Sequence, residues 1–426
     1  MKNNHSKMIK GFFILIMSMC LFNGHVISQI LTIDSVLVKI ESNHPELQMY
    51  EAQIKAMDSY AKGAKAWDAP QFSTGLYMTP YNVSLWKADP STMGSQGMGS
   101  LMFTAQQMIP NPKKLNANQS LMLGMSGAEK ENRTAIRNQF FAQAKTAYNE
   151  WLILKKKLVV ANSTEDLMKF MISTAENRYT YNKEKLNTIY KTKASLYELN
   201  NMQIMLKNDI QQKRILLNAL MNRDKNLEYD IDTIYAIKNY ENNLIDTAQL
   251  VSHRSDIRSI EQSIRIAKLK QTYENSKRLP DFGIRYDHAN TFGSQPNQFS
   301  LMGMITVPIA PWSSKMYQSN VAGLNFEINS LQKKKESILN ESSGMLQSLK
   351  LEILNKKQQL TMYEKNIIPA LNNNYQTSLL AYQQNTEELF MVLDALQTLK
   401  MAQLEHLNQL GDLLKLQVEF EKQMEN

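Results

Sequence analysis

The chain has 426 residues, with 48 Lys and Arg against 40 Asp and Glu, a net charge of +8, 43% hydrophobic residues and one cysteine. The positive excess is mild and forms no basic stripe interleaved with aromatics, which excludes a nucleic-acid-binding protein. A single cysteine excludes a disulfide scaffold.

The first element is a targeting signal. Lys2, Lys7 and Lys10 precede the apolar run Gly11–Phe22, and Ser28 offers a small residue before Gln29. A basic start, a run of about a dozen apolar residues and a small residue at the cut make a secretory signal peptide over residues 1–28. Met19 stands before Cys20, where a lipidated N-terminus needs a small residue. Cleavage after Ser28 would remove the cysteine and three lysines, lowering the charge to +5. No later stretch is apolar for the roughly 20 residues that a membrane-spanning helix needs. A membrane role must therefore use strands closed into a barrel.

The first repeat, residues 29–222, begins with an apolar helix and enters a strand through Pro70-Gln71-Phe72. Strands are predicted over Gln71–Thr79 and Ser100–Met108, joined by the Gly-, Pro- and Ser-rich loop Pro80–Gly99. After the exit proline Pro110 come two long helices. In the first, Phe140, Ala144, Ala147, Trp151, Leu154, Leu158 and Ala161 step alternately by four and three, and the series resumes at Met168, Ile172, Ala175 and Tyr179 after a polar slot at Glu165. That rhythm puts one apolar seam along a helix and calls for coiled-coil packing. The next helix keeps it at Ile189, Leu196, Leu199, Leu206, Ile210, Leu217 and Leu220, with polar slots at Gln203 and Lys213. Helices of about 45 residues would be about 65 Å long.

Residues 223–249 link this repeat to a second one, 250–426, with the same order of elements. Pro280-Asp281-Phe282 opens its strands, Phe282–Ala289 and Phe299–Val307, with the loop Asn290–Gln298 between them and Pro308 as the exit. Phe299, Leu301, Ile305 and Val307 alternate with Ser300, Met302, Met304 and Thr306, a strand with one apolar and one mostly polar face. The last helix carries a seam at Leu389, Val392, Leu396, Leu399, Leu410 and Leu413, with Gln403 in a polar slot. The duplication is clearest at the turns between long helices. There Tyr179, Asn182, Glu184, Leu186 and Ile189 match Tyr382, Asn385, Glu387, Leu389 and Val392 at one constant offset of 203. The fold class is mainly α with a small β part: long antiparallel coiled-coil hairpins plus two membrane β-hairpins. Four strands cannot close a barrel, so several copies must pool them.

This order resembles the TolC family of outer-membrane efflux proteins over nearly the whole chain past the signal. Ala175–Leu196, AENRYTYNKEKLNTIYKTKASL, is similar to that family's first helix-turn-helix, and Ile367–Leu399 to its second. The resemblance implies a homotrimer with a twelve-stranded outer-membrane barrel and a helical tunnel in the periplasm. It also implies a tip closed at rest and opened by a periplasmic adaptor protein and an inner-membrane pump. By the same resemblance the turn residues Tyr179, Asn182, Tyr382 and Asn385 are the tips that meet the adaptor. Asparagine at 182 and 385 replaces the family's usual glycine and can hold the left-handed conformation that ends a helix. The family's gate has two aspartates one turn apart. Asp394 matches the second, Met391 stands in place of the first, and Glu387 falls where a basic residue is frequent. The resemblance thus implies a single carboxylate ring, which would favour cations.

Methionine is abundant, 26 in all. Strand parity puts Met302 and Met304 with Ser300 and Thr306, and Met102 and Met108 with Thr104 and Gln106, on what would be lumen faces. Thioethers are soft ligands suited to monovalent copper or silver, which fits the family's heavy-metal efflux branch; the plainer reading is gap filling. No tight ligand cluster marks a resident metal site, and no cofactor is called for. His44, His253, His288 and His406 are scattered, and no HExxH, GxSxG, P-loop or dinucleotide fingerprint occurs, so no enzyme is expected. Trp312 in APWSSK is expected at a membrane interface. A passive efflux duct leads. A type I protein-secretion duct shares the fold, and a periplasmic coiled-coil structural or adhesion protein is the reading from another class.

Overall fold

The computed structural model describes residues 30–88, 97–240 and 247–425. The signal peptide expected over 1–28, with Cys20, lies outside these residues, as do parts of the loop Pro80–Gly99 and of the linker. In chain order the elements are β1 (Ile30–Leu31), α1 (Ile33–Asn43), α2 (Pro45–Gly63), β2 (Gln71–Tyr77), β3 (Ser100–Ile109), α3 (Pro112–Tyr179) and α4 (Leu186–Leu220). There follow β4 (Asp230–Ile231), α5 (Thr247–His253), α6 (Ser255–Ser276), β5 (Asp281–Thr291), β6 (Gln298–Thr306), α7 (Pro311–Met362), α8 (Ile368–Gln383) and α9 (Leu389–Met424). The chain divides into two compact units. Residues 30–44, 139–240 and 349–420 form a helical unit, and residues 45–138, 247–348 and 421–425 a unit that holds the large sheet.

In the strand unit four antiparallel strands lie in the order β2-β3-β5-β6. The four strands expected from alternation are present, each shifted by a residue or two; β2 ends early because Met78 turns to φ 50°. The central strands have 10 and 11 residues, the length a tilted strand needs to cross a bilayer. Pairing of Thr104 with Asp287 and of Asp287 with Ser300 fixes the register and therefore the faces. One face carries Phe72, Leu76, Phe103, Ile284, Phe299, Leu301 and Ile305, all exposed. Proline opens the helices that leave the sheet, at Pro112 and Pro311, where its missing N–H costs nothing. The end of the chain returns to this unit. The carboxylate of Glu425 accepts from the backbone N of Ser255 (2.8 Å), from its Oγ (2.7 Å) and from Asn138 Nδ2 (2.8 Å), capping α6.

In the helical unit the predicted seam is the core. Ala161, Met168, Ala175, Ile189, Leu199, Leu206, Leu389, Val392, Leu396 and Leu399 are buried in one cluster. The polar slots meet one another, since Gln203 Nε2 donates to Asn162 Oδ1 (3.0 Å) and Glu165 Oε2 (2.7 Å). Lys213 pairs with Glu150 at 2.5 Å. Between α7 and α8 the backbone widens to a π-turn over Tyr363–Ile367. Pro369, at the start of α8, supplies the cause: its ring excludes the carbonyl four residues back, and a wider turn moves that carbonyl away. Among the described residues no helix is long and apolar enough to cross a membrane.

The described first part of the stretch expected as a linker, residues 223–240, packs back onto this unit. Strand β4 pairs in parallel with β1, and the Tyr148 hydroxyl lies 3.0 Å from both Leu31 O and Asp232 O. Asn222 ends α4 at φ 52°, with Arg223 N bonded to Asn218 O. The fully buried Asn218 side chain then holds the departing chain, donating to Lys225 O (2.9 Å) and Leu227 O (3.0 Å) and accepting from Arg223 Nε (2.6 Å). Asn218→Ala removes three bonds made by a side chain closed off from solvent, and should cost about 2 kcal/mol in denaturant unfolding of the detergent-solubilised protein.

Candidate functional site

Two sites follow from this frame, the turns that end the long helical hairpins and the polar face of the sheet. The turns share one backbone pattern. Asn182 and Asn385 sit at φ 57° and 61°, a conformation in which asparagine is second only to glycine. Lys183 N bonds to Arg178 O and Asn182 N to Tyr179 O; Thr386 N bonds to Ala381 O and Asn385 N to Tyr382 O. These are the same bonds, displaced by the offset of 203 read from the sequence.

The side chains break that likeness. Arg178 of the first turn grips the second: it donates to Tyr382 O at 2.7 Å and to Asn385 Oδ1, and its guanidinium lies 4.1 Å from the Tyr382 ring centre. The Tyr382 hydroxyl donates to Glu184 Oε2 at 3.0 Å, and Lys185 pairs with Glu388 at 2.9 Å. Tyr382 is therefore 2% exposed, whereas Tyr179 is 43% exposed. Tyr382 thus holds the two turns together, with most of its side chain enclosed by them. Burial, and next the nearby Glu184 carboxylate, push the Tyr382 phenol up to about 12. Glu388 raises the Lys185 ammonium above its usual range.

The expected gate residues lie just beyond. Glu387 is in the turn, half-buried, and Met391 and Asp394 are exposed on the first two turns of α9. The next two positions of the same stripe, Thr398 and Met401, are exposed as well, opposite the buried Val392, Leu393, Leu396 and Leu399. The structure brings Met391 and Asp394 onto one face and leaves that face without a partner from the same chain.

On the sheet, the register puts Met102, Met108, Met302 and Met304 on one face with Ser73, Thr104, Gln106 and Ser300. Its centre was not anticipated. Asp287, 5% exposed, accepts from Thr104 Oγ1 (2.5 Å), from Arg285 Nε (3.0 Å and 3.1 Å to its two oxygens) and from Ser300 Oγ (3.2 Å). Asp281, on the same face at the other end of β5, pairs with Lys114 at 2.6 Å. Trp312, 85% exposed, stands on the first turn of α7 just past the sheet. Among the described residues no cluster of His, Cys, Asp and Glu could hold a metal ion.

A family profile for outer membrane efflux proteins matches residues 36–223. The match spans less than half of the chain and shows a likeness to that family over its first part. That likeness supports an efflux role at the outer membrane. The fold extends the likeness over the second half. The outer-membrane channel OprN superposes with a TM-score of 0.74 at 13% identity, covering 92% of this chain and 89% of its own. VceC from Vibrio cholerae gives 0.71 at 14% (92% and 96%), and the CmeC channel from Campylobacter jejuni 0.72 at 13% (92% and 85%). No curated protein matches the chain by sequence.

Two outcomes test the geometry of the turns. Arg178→Ala should remove about 2 kcal/mol of local stability, read as faster amide exchange in residues 178–186 and 381–388. The second concerns alkaline pH. Tyr148, Tyr229 and Tyr382 are all pushed up to about 12, so between pH 10 and 12 the folded chain binds more protons than the unfolded one. Stability is then complete below pH 10 and falls as pH rises through that window. Tyr382→Phe should reduce the slope in a pH series of melting curves.

Proposed function

We propose that three copies of this chain form one duct, with their pooled strands in the outer membrane and their helical hairpins in the periplasm. The observation that carries this is the open sheet. Strands β2 and β6 each have one neighbour, so each leaves an edge of unpaired backbone groups, and the adjoining face is apolar and exposed. In lipid such edges must be satisfied by other strands. The helical unit supports the same reading. Tyr190, Tyr197 and Ile204, a heptad apart on α4, are 63–67% exposed, as expected of a face that meets a neighbouring helix. In this reading residues 1–28 are the signal, 29–222 and 250–426 are two repeats of one helix–strand–helix plan, and 223–249 join them.

The turns are then the periplasmic tip. A periplasmic adaptor would meet the exposed Tyr179 and Tyr181 and the backbone around Asn182 and Asn385, and an inner-membrane pump would complete the path. Three Asp394 carboxylates on facing copies of α9, with Met391 one turn nearer the tip, would form a negative constriction that favours cations. Asp394→Ala should lower cation selectivity in planar-bilayer recordings, and unchanged selectivity would sink the ring. Recovery of the processed protein from soluble periplasm without detergent would defeat the duct itself.

For the cargo, the methionines favour soft monovalent cations. A Cβ on Gly283 would lie 2.6 Å from Met108 Sδ and 3.0 Å from Met304 Cε, so two thioether side chains converge over the gap left by that glycine. Thioethers on a water-facing surface suit copper(I) and silver(I). A deletion strain should lose tolerance to copper and silver; sensitivity confined to dyes and antibiotics would exclude this cargo.

A further inference from the structure

The polar face of the sheet carries three charged side chains within its strands, Asp281, Arg285 and Asp287. Each is held against an opposite charge: Asp281 by Lys114 at 2.6 Å, and Arg285 and Asp287 by each other at 3.0 Å. The second pair is built with some care. Arg285 and Asp287 are two apart on β5 and so share a face. Directly across from Arg285 stand Gln106 on β3 and Met302 on β6, both uncharged. Across from Asp287 stand Thr104 and Ser300, and both donate to it. Four bonds from three strands fix the carboxylate, its side chain is only 7% exposed, and the guanidinium of the partly exposed Arg285 is drawn along the strand onto it.

A structural role alone explains Thr104 and Ser300, which bridge strands through Asp287. It does not explain why the one arginine of this face lies where a carboxylate neutralises it. We propose that Asp287 is a positioning residue that cancels the charge of Arg285, so that the membrane-level part of the duct has no ion preference and discrimination is left to the tip. The inference rests on the reading that this face lines the duct. Without Asp287, each copy of the chain would present an uncompensated guanidinium to the path, and three such charges near one level would attract anions and repel cations.

The test is the reversal potential of the purified full-length protein in planar bilayers under a salt gradient. Asp287→Asn keeps the shape and an acceptor for Thr104 while removing the charge. It should raise the anion-to-cation permeability ratio by about two- to fivefold at about 0.1 M salt, less at 1 M where screening is stronger. Arg285→Gln should shift the ratio toward cations, and the double variant Arg285→Gln/Asp287→Asn should return to the wild-type value. A merely structural Asp287 predicts no such rescue. If the single variants conduct with the wild-type reversal potential, the compensation is overturned. If the wild-type protein does not conduct at all, the duct reading fails, and the inference with it.

Discussion

The sheet, and the assembly proposed for it, answer to one constraint, that a backbone N–H or C=O in lipid must find a partner within protein. An unsatisfied group there costs several kcal/mol. Four strands in an open sheet meet the constraint in their interior and violate it along β2 and β6. In the proposed duct other copies of the chain satisfy those edges. The same constraint explains why the membrane part is strand: among the described residues no helix is apolar enough to cross, and the remaining route is a closed barrel. With the edges shared between copies, the alternation of side chains across the sheet follows. In the proposed duct one face would meet lipid through phenylalanine, leucine and isoleucine, and the other would be left for threonine, serine, glutamine, methionine and the Arg285–Asp287 pair.

The helical unit obeys a different logic. Its seam is apolar where coiled-coil packing demands it, but the polar slots are not defects. Gln203 finds Asn162 and Glu165, and Lys213 finds Glu150, so these two slots are matched by polar residues on the facing helix. Such matched pairs contribute little net energy, but they penalise sliding of one helix past another. At the turns, duplication supplied the same backbone twice while the side chains diverged. Arg178 in the first turn corresponds to Ala381 in the second, and that single difference ties the first turn to the second through Tyr382 and Asn385. A twofold sequence repeat thus yields a cross-link that runs one way.

The strands, the seam and the turn asparagines were all readable from residue order, because each rests on a local period or on a backbone preference of one residue type. The methionine positions on the polar face followed from parity alone. Arg178 escaped notice because the duplicated turns were compared by what they share, and Arg178 is what they do not share. Asp287 escaped because two of its four bonds come from residues that no spacing relates to it: Thr104 is 183 residues away and Ser300 lies on another strand. A carboxylate two places from an arginine in a strand was the available signal. Asn218 and Glu425 are of the same kind, polar residues whose partners are chain segments and not motifs.

Local order, the alternation of faces, the repeat at 203 residues and the need for other copies of the chain are consequences of one-dimensional pattern, since periodicity and backbone satisfaction do not depend on which distant segments meet. The pairing of β3 with β5, which joins the two hairpins into one sheet, is a long-range choice, and so is the folding of Arg178 over Tyr382 instead of into solvent. So too is the meeting of Arg285, Asp287, Thr104 and Ser300 at one point. Those contacts depend on register across strands and on close approach of separate turns, and only packing in three dimensions selects them.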